Sequence, residues 1–331
     1  MPRESTAGRG GGRVPGTGTD LQGPVICMVG PTASGKSELA QRLGEALGGE
    51  VVSADSMQVY RGMDIGTGKV PPADRRIPHH GLDLVDPGEP YSAALFQDYG
   101  RRTIAAIDAR GSRPLLCGGT GFYVRAVIDD YDFPAGEQQG NPVRDRYNAL
   151  AAEKGPEALW ERLRMQDPAS AGLIAPRDVK RVVRAFELLE EGTTYARQKQ
   201  NLAHLGQALP AVFLGIAVQP DELCRRIDRR VDAMVETGLI GEVQGLLDRG
   251  FREGITAPQA IGYKEMVAYL DGTASLDGAI AAIKTATHRY AKRQRTWFRK
   301  DSRIHWIDGD GLEMDAMAQK ALELLATIGC A

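Results

Sequence analysis

The chain is short of the features that mark a disulfide scaffold or a membrane protein. Its 331 residues include four cysteines, Cys27, Cys117, Cys224 and Cys330, and no two stand in a C-x-x-C pair. A reduced, cytoplasmic protein is the simplest reading of that usage. No apolar stretch approaches the ~20 residues of a membrane-spanning helix. Net charge is also nearly absent, because 41 Lys and Arg against 43 Asp and Glu leave −2. Such a balance predicts neither a polyanion nor a membrane surface as partner, so only local clusters can point to one. Residues 1–20, rich in Gly, Arg, Ser and Thr, have almost nothing to bury and read as a disordered tail. A transit peptide competes with that reading, but the Gly run opposes the amphipathic helix such signals need.

What the chain does have is Gly30-Pro31-Thr32-Ala33-Ser34-Gly35-Lys36-Ser37, a full match to G-x-x-x-x-G-K-[ST]. An apolar run, Val25 to Val29, precedes it and predicts a buried strand. An amphipathic helix from Glu38 to Leu47 follows, with Leu39, Leu43, Ala46 and Leu47 on one face. In this context the glycines turn backbone N–H groups inward at a helix N-terminus, which favours anions. Lys36 adds a point charge, and the Ser37 hydroxyl is placed to coordinate Mg2+. A diphosphate-bearing ligand is expected, though the loop alone does not say whether it is a nucleotide.

Glu50–Ser53 is the next expected strand, and it puts Asp55 at a carboxyl end, where open α/β sheets hold ligand-binding groups. Residues 57–69 lack periodicity and read as a working loop. Further strands are expected at Leu82–Val85 and Pro114–Cys117, with a helix over Ala93–Ala109 between them and another from Phe122. This alternation predicts an α/β fold, a P-loop doubly wound parallel sheet. The rhythm then breaks: residues 129–210 are helical throughout, before Ala211–Val218 returns as a buried strand. The predicted organisation is therefore a core of 21–128 and 211–331 with an inserted all-helical domain at 129–210 and a C-terminal helical segment. Asp221 is expected to cap the helix after that strand. Thr273–Lys300 is expected as the long final helix, with Ile304–Ile307 as a last strand.

Three basic clusters stand out. One is Arg177, Arg181 and Arg184 with Lys180, spaced along one inserted helix, and a second is Arg225, Arg226, Arg229 and Arg230. The third, His288 to Lys300, interleaves six Lys and Arg with Tyr290, Trp297 and Phe298. Phosphate neutralisation combined with stacking is what single-stranded nucleic acid requires. Each cluster could equally be a solvated helix face. Trp297 is either a stacking platform for RNA or a core residue of this helix, and core is preferred because, of the pair Trp297-Phe298, at least one ring must face inward. The strand running into Gly118-Gly119-Thr120 carries no carboxylate for the Mg2+ of a γ-phosphate-transferring enzyme. Asp55 is the carboxylate available, as a metal-water ligand, a general base, or simply a loop Asp capping the Gln58 N–H.

Gly30–Ser37, Ser53-Ala54-Asp55-Ser56, Tyr60–Thr67, Tyr91-Ser92-Ala93, Gly118–Gly121, Arg226–Val231, Ile261–Glu265 and Lys292–Trp297, in that order, together resemble the tRNA dimethylallyltransferase (tRNA isopentenylpyrophosphate transferase) family of bacterial type. The resemblance implies transfer of a dimethylallyl group from dimethylallyl diphosphate to N6 of the adenosine 3′ of a tRNA anticodon. It implies Asp55 as base on N6, Thr120 as a hydroxyl near the bridging oxygen, and Lys36, Ser37 with Mg2+, and Arg230 as diphosphate holders. It also implies tRNA contacts at Asp55, Ser56, Met57 and Gln58, at Thr120, Arg144, Lys180, Arg181, Val182, Val183 and Arg184, and at Tyr263, Lys292, Arg293, Arg295 and Arg299. Gly68 stands where the family often has Ala. Two other readings remain, a P-loop small-molecule kinase and a non-catalytic RNA-binding module. No dimer seam is evident, and a monomer is expected.

Overall fold

A computed structural model describes residues 21–133, 141–203 and 205–330, so the expected N-terminal tail lies outside the described residues. Six strands form one all-parallel sheet: β1 (Val25–Val29), β2 (Gly49–Ser53), β3 (His79–His80), β4 (Arg113–Gly118), β5 (Ala211–Ala217) and β6 (Ile304–Asp308), in the order β3-β2-β4-β1-β5-β6. All five β1 residues are fully buried, as expected of a central parallel strand covered on both faces. Its neighbours β4 and β5 lead away in opposite directions, and the crevice at such a switch point is where ligands bind. Helices α1 (Lys36–Leu47), α2 (Ala93–Ala109) and α3 (Gly121–Ile128) belong to the first part of the chain. Ser92 caps α2 by accepting the Leu95 N–H, which fixes that helix at its expected start.

The predicted strand at 82–85 is corrected by the structure. Pairing with Val51 and Val52 falls to His79 and His80, while 82–85 contributes one bridge, from Val85 to Tyr60. The helices α4 (Pro142–Lys154), α5 (Pro156–Gln166), α6 (Pro168–Ala171), α7 (Val179–Glu190) and α8 (Tyr195–Ala203) follow. They build a second buried cluster of their own, in which Tyr147 stacks on Phe186 at 3.9 Å between ring centroids among Leu159, Leu163, Val182 and Val183. Truncating Phe186 to Ala there would cost roughly 3–5 kcal/mol.

The chain leaves and re-enters the sheet at one neck. Asp129 and Gln207 form an antiparallel bridge, Ala208 N–H donates to Ile128 O (2.7 Å) and Asp130 N–H to Gly206 O (2.9 Å). The Asp129 carboxylate, fully buried, is held there by Arg125 (2.7 Å) and Arg303 (2.6 Å). Beyond β5 come α9 (Pro220–Thr237), α10 (Leu239–Leu247), α11 (Tyr263–Leu270), α12 (Leu276–Phe298) and α13 (Met314–Thr327). Asp221 is not the cap of α9: Gln219 holds that position, Pro220 starts the helix, and Asp221 sits in its acidic first turn. Nor is α12 the final helix. Ser275 caps it, shortening it at the N-terminal end, and α13 packs against α1 after β6.

Candidate active site

The loop between β1 and α1 lies at the centre of the carboxyl edge. Gly35 enters α1 with φ +93°, and Ala33 takes φ +62°, an uncommon conformation for a residue with a Cβ. Ser34 Oγ is fully buried and has no hydrogen-bond partner among the described residues. Lys36 Nζ donates to Pro31 O at 3.2 Å, and burial holds its pKa below the usual lysine value. Such a cation gains most from an anion that enters the site.

A small cleft facing this loop is lined by Thr32, Lys36, Ser37, Asp55, Gln58, Thr67, Gly68, His79, Cys117 and Arg230, among others. Arg230, from α9, reaches it by donating to Thr32 Oγ1 (3.2 Å) and Thr67 O (3.1 Å). Burial lowers its pKa too, and the Asp55 charge works against that shift. The room for this arm comes from Gly68: a Cβ there would stand 2.0 Å from Arg230 Nη2, and φ is +63°. The departure from the family pattern at Gly68 thus has a local use, letting the guanidinium lie on the backbone. The other members of the second basic cluster stay outside, where Arg225, Arg226 and Arg229 share Glu222.

Asp55 follows β2. Its Oδ1 accepts the Met57 N–H at 2.9 Å, so it does serve as a loop cap, though for Met57 rather than Gln58. Its Oδ2 makes no hydrogen bond to the described residues, and the carboxylate lines both the phosphate-side cleft and a second cavity. That second cavity, about 460 Å³, shares Thr32, Asp55, Thr67 and Arg230 with the first. Its lining combines the apolar Ile227, Val231, Met234, Ile261 and Ile283 with Ser56, Arg289, Tyr290 and Arg293. Thr120 Oγ1 accepts the Ser56 N–H (3.0 Å) and donates to Ser56 Oγ (3.3 Å), tying the end of β4 to the Asp55 turn. Gln58 accepts from Ser53 Oγ (2.7 Å) and donates to Thr67 O (3.3 Å). A site results with a cationic end at the 30–37 loop, a larger half-apolar cavity, and the Asp55 carboxylate lining both.

Three residues that sequence reasoning missed hold this arrangement. Gln294, buried on α12, accepts the Thr32 N–H (2.9 Å) and donates to Gly119 O (2.9 Å), clamping the two glycine-rich loops together. Glu242 on α10 accepts the N–H groups of Asp64 (3.0 Å), Ile65 (2.7 Å) and Gly66 (3.1 Å), and the Tyr263 hydroxyl (2.6 Å). His79 Nε2, beside the first cleft, is buried without a partner among the described residues, and burial lowers that imidazole to about 4, leaving it neutral at pH 7. The only signal for Gln294 was its place between Arg293 and Arg295.

The structure places the residues expected to contact nucleic acid in different environments. Tyr263 is fully buried with its hydroxyl on Glu242, and Val182 and Val183 belong to the second core, so none of these side chains is available at the surface. Arg144 pairs with Glu187 (2.7 Å), Arg184 with Glu187 (2.9 Å) and Glu191, Arg181 with Asp178, and Arg177 with Glu157. The α12 cluster differs. Arg289, Lys292, Arg293, Arg295, Arg299 and Lys300 make no ion pair with the described residues. They also divide between two sides: Arg289 and Arg293 line the large cavity, while Arg295 and Arg299 face a groove with Pro31, Val218 and Trp306. Trp297 is not core, being 45% exposed, and Phe298 at 3% is the ring that turns inward.

Two family descriptions match the chain, IPP transferase over residues 58–301 and isopentenyl transferase over residues 23–77. The chain belongs to the IPP transferase family. It is 46% identical over 286 residues to a tRNA dimethylallyltransferase of Rhodococcus jostii, covering 86% of this chain and 91% of that one. A similar match, 46% over 290 residues, joins it to the enzyme of the same name from Geobacillus kaustophilus, covering 86% and 90%. Among solved structures, the tRNA isopentenylpyrophosphate transferase of Bacillus halodurans aligns with a TM-score of 0.68 at 40% identity, covering 92% of this chain and 96% of that one. A eukaryotic dimethylallyltransferase acting on tRNA aligns with a TM-score of 0.77 at 28% identity, covering 92% and 79%. Membership of the family makes the protein a prenyl transferase and sets aside the small-molecule kinase reading.

Proposed function

We propose that this IPP transferase moves the dimethylallyl group of dimethylallyl diphosphate onto N6 of the adenosine 3′ of the anticodon in tRNA, in the cytoplasm, and releases diphosphate. The observation that carries the reading is the place of Asp55, which lines both the cationic cleft and the half-apolar cavity. The diphosphate rests on the 30–37 loop with Lys36 and Arg230. The adenine, flipped out of the anticodon loop, enters the larger cavity. N6 attacks the allylic C1, the C–O bond to the diphosphate breaks, and the N6 proton passes to Asp55. An exocyclic amine is a poor nucleophile, so proton removal by a positioned carboxylate contributes typically 10²–10⁴-fold. Charge growing on the leaving diphosphate is met by the two buried cations, which are preorganised by Pro31, Thr32 and Thr67.

The donor set also suits magnesium, which takes one or two protein oxygens beside substrate phosphates and water. Ser37 would hold it with the donor's diphosphate, Asp55 being the carboxylate lining the same cleft. The ion would add charge stabilisation to the leaving group. No cluster of three acidic, His or Cys side chains among the described residues offers a metal site of another kind. Incubating the protein with tRNA and either dimethylallyl diphosphate or ATP, then weighing the digested nucleosides, tests the proposal. An adenosine heavier by one isopentenyl group, formed only with the isoprenoid donor, is the expected product. Unmodified nucleosides, or modification coupled to ADP release, would overturn it.

A further inference from the structure

Between two of the three basic helices, α12 and α7, lies a set of aromatic rings. Trp297 of α12 lies on Gly121, where a Cβ would stand 2.2 Å from its Nε1, so the ring packs directly on the backbone beside Thr120. The next residue, Phe122, is 37% exposed, and two rings meet it edge-on: Tyr131 at 5.5 Å and 88°, and Phe133 at 6.0 Å and 78°. Tyr131 and Phe133 lie 4.3 Å apart. Backbone bonds hold the Tyr131 end in place, for Gln97 Nε2 donates to its carbonyl at 2.7 Å and Asp130 N–H to Gly206 O. Arg184 of α7 lies near enough for its charge to act on the Tyr131 phenol. The line therefore starts beside the α12 cations that lack acidic partners among the described residues, passes the Thr120 turn, and ends near Arg184 of α7.

Resting on the transfer reaction above, we propose that Trp297, Phe122, Tyr131 and Phe133 form a stacking platform for the unpaired bases of the RNA loop that flank the reacting adenosine. A base pulled from its stack leaves neighbours with bare faces, and exposed aromatic rings replace those contacts whatever the base. Flanking cations on α12 neutralise the phosphates that such a strand carries past the rings. A second copy of the chain does not fit this surface as well, because a two-fold contact would bring the same α12 cations face to face. The platform holds the strand and takes no part in bond making, so these are positioning residues.

The test uses the full chain and a synthetic anticodon stem-loop with 2-aminopurine immediately 3′ of the target adenosine. Stacking on the platform quenches that fluorophore in the parent complex. Phe122→Leu, which keeps apolar packing without a ring, and Trp297→Ala should each weaken RNA binding about tenfold and lose most of the quench. Their melting temperatures and their KM for dimethylallyl diphosphate should stay near the parent's, and Phe122→Tyr should restore binding. Parent-like RNA affinity in both Phe122→Leu and Trp297→Ala overturns the platform, as does a parent dimer in light scattering that these substitutions dissolve. If the parent prenylates RNA while the variants bind normally, the platform alone falls. A parent that neither binds nor prenylates the stem-loop removes the transfer reaction and the platform together.

Discussion

Replacing Glu242 with Ala should damage both stability and donor binding, although the residue is remote from any reacting atom. Its carboxylate accepts three consecutive backbone N–H groups, from Asp64, Ile65 and Gly66, and the hydroxyl of fully buried Tyr263. Leaving the Tyr263 hydroxyl unpaired costs about 1–3 kcal/mol. The three N–H groups lie at a loop that water reaches in part, so each adds less, about 0.5 kcal/mol. A loss of about 3 kcal/mol is expected, or about 4–6 °C in melting temperature for a chain of this size. The same loop presents the Thr67 carbonyl that holds Arg230 and Gln58, so its loosening should raise the KM for dimethylallyl diphosphate several-fold. Glu242→Gln keeps one acceptor oxygen and should cost about half as much. Adding Tyr263→Phe to Glu242→Ala removes the orphaned hydroxyl and should recover about 1–2 kcal/mol. Calorimetric melting of the four proteins beside donor kinetics decides the matter. A Glu242→Ala protein that melts within about 2 °C of the parent with an unchanged donor KM refutes the reasoning.

Asp55→Asn should keep donor and tRNA affinity while turnover falls roughly a hundredfold or more, since it preserves the Met57 cap but cannot take the N6 proton; turnover within a few-fold of the parent would remove Asp55 as the base. Lys36→Ala should cripple the reaction through the donor, read as a KM for dimethylallyl diphosphate raised at least tenfold with tRNA affinity retained. The salt dependence of RNA binding should be steeper through α12 than through α7. Lys292→Ala with Arg293→Ala should flatten the log–log slope by roughly 1.4 if each cation meets one phosphate of a single strand, whereas Arg181→Ala with Arg184→Ala should flatten it less, because both arginines already face Asp178, Glu187 or Glu191; equal slopes in the two double variants would contradict this. Acid stability should depend on Glu50, which the hydrogen-bonded Arg110 guanidinium (2.6 Å) holds down at about 2 against an ordinary 4.5. A carboxyl lowered on folding contributes stability that is complete above pH 4.5 and lost as pH falls towards 2, so Glu50→Gln should flatten the melting temperature across that window.

Much of this site could be read from the chain because its chemistry is local. The 30–37 loop announces an anion-binding turn within eight residues, and Asp55 follows a strand that the sequence already marks. The bounds of α2 were legible because Ser92 is a cap with its partner three residues away. What could not be read depends on distant backbone. Gln294 and Glu242 look like surface polar residues until the fold brings them to carbonyls and N–H groups more than 170 positions away. β3 is two polar residues long and exists only because β2 offers an edge to pair with, so no hydrophobic pattern announces it. Tyr263 resembles a recognition residue by its motif, yet it is a buried strut for the loop at Gly66. The choice between Trp297 and Phe298 needed the direction of α12 across the sheet, which single-helix periodicity does not supply.

The neck at Asp129 and Gln207 has a consequence for how such an enzyme could be taken apart and rebuilt. Because Asp130 N–H meets Gly206 O and Ala208 N–H meets Ile128 O, the outgoing and returning chains are already laid side by side like the two ends of a hairpin. An Asn-Gly turn spliced between residues 129 and 207 would close that hairpin without stretching either strand. The excised helices would take their own buried cluster with them, leaving the six-stranded sheet and the 30–37 loop unaltered. The inserted helices are thus joined to the sheet through a single pair of crossing strands, so they could be cut out or exchanged at one place in the chain.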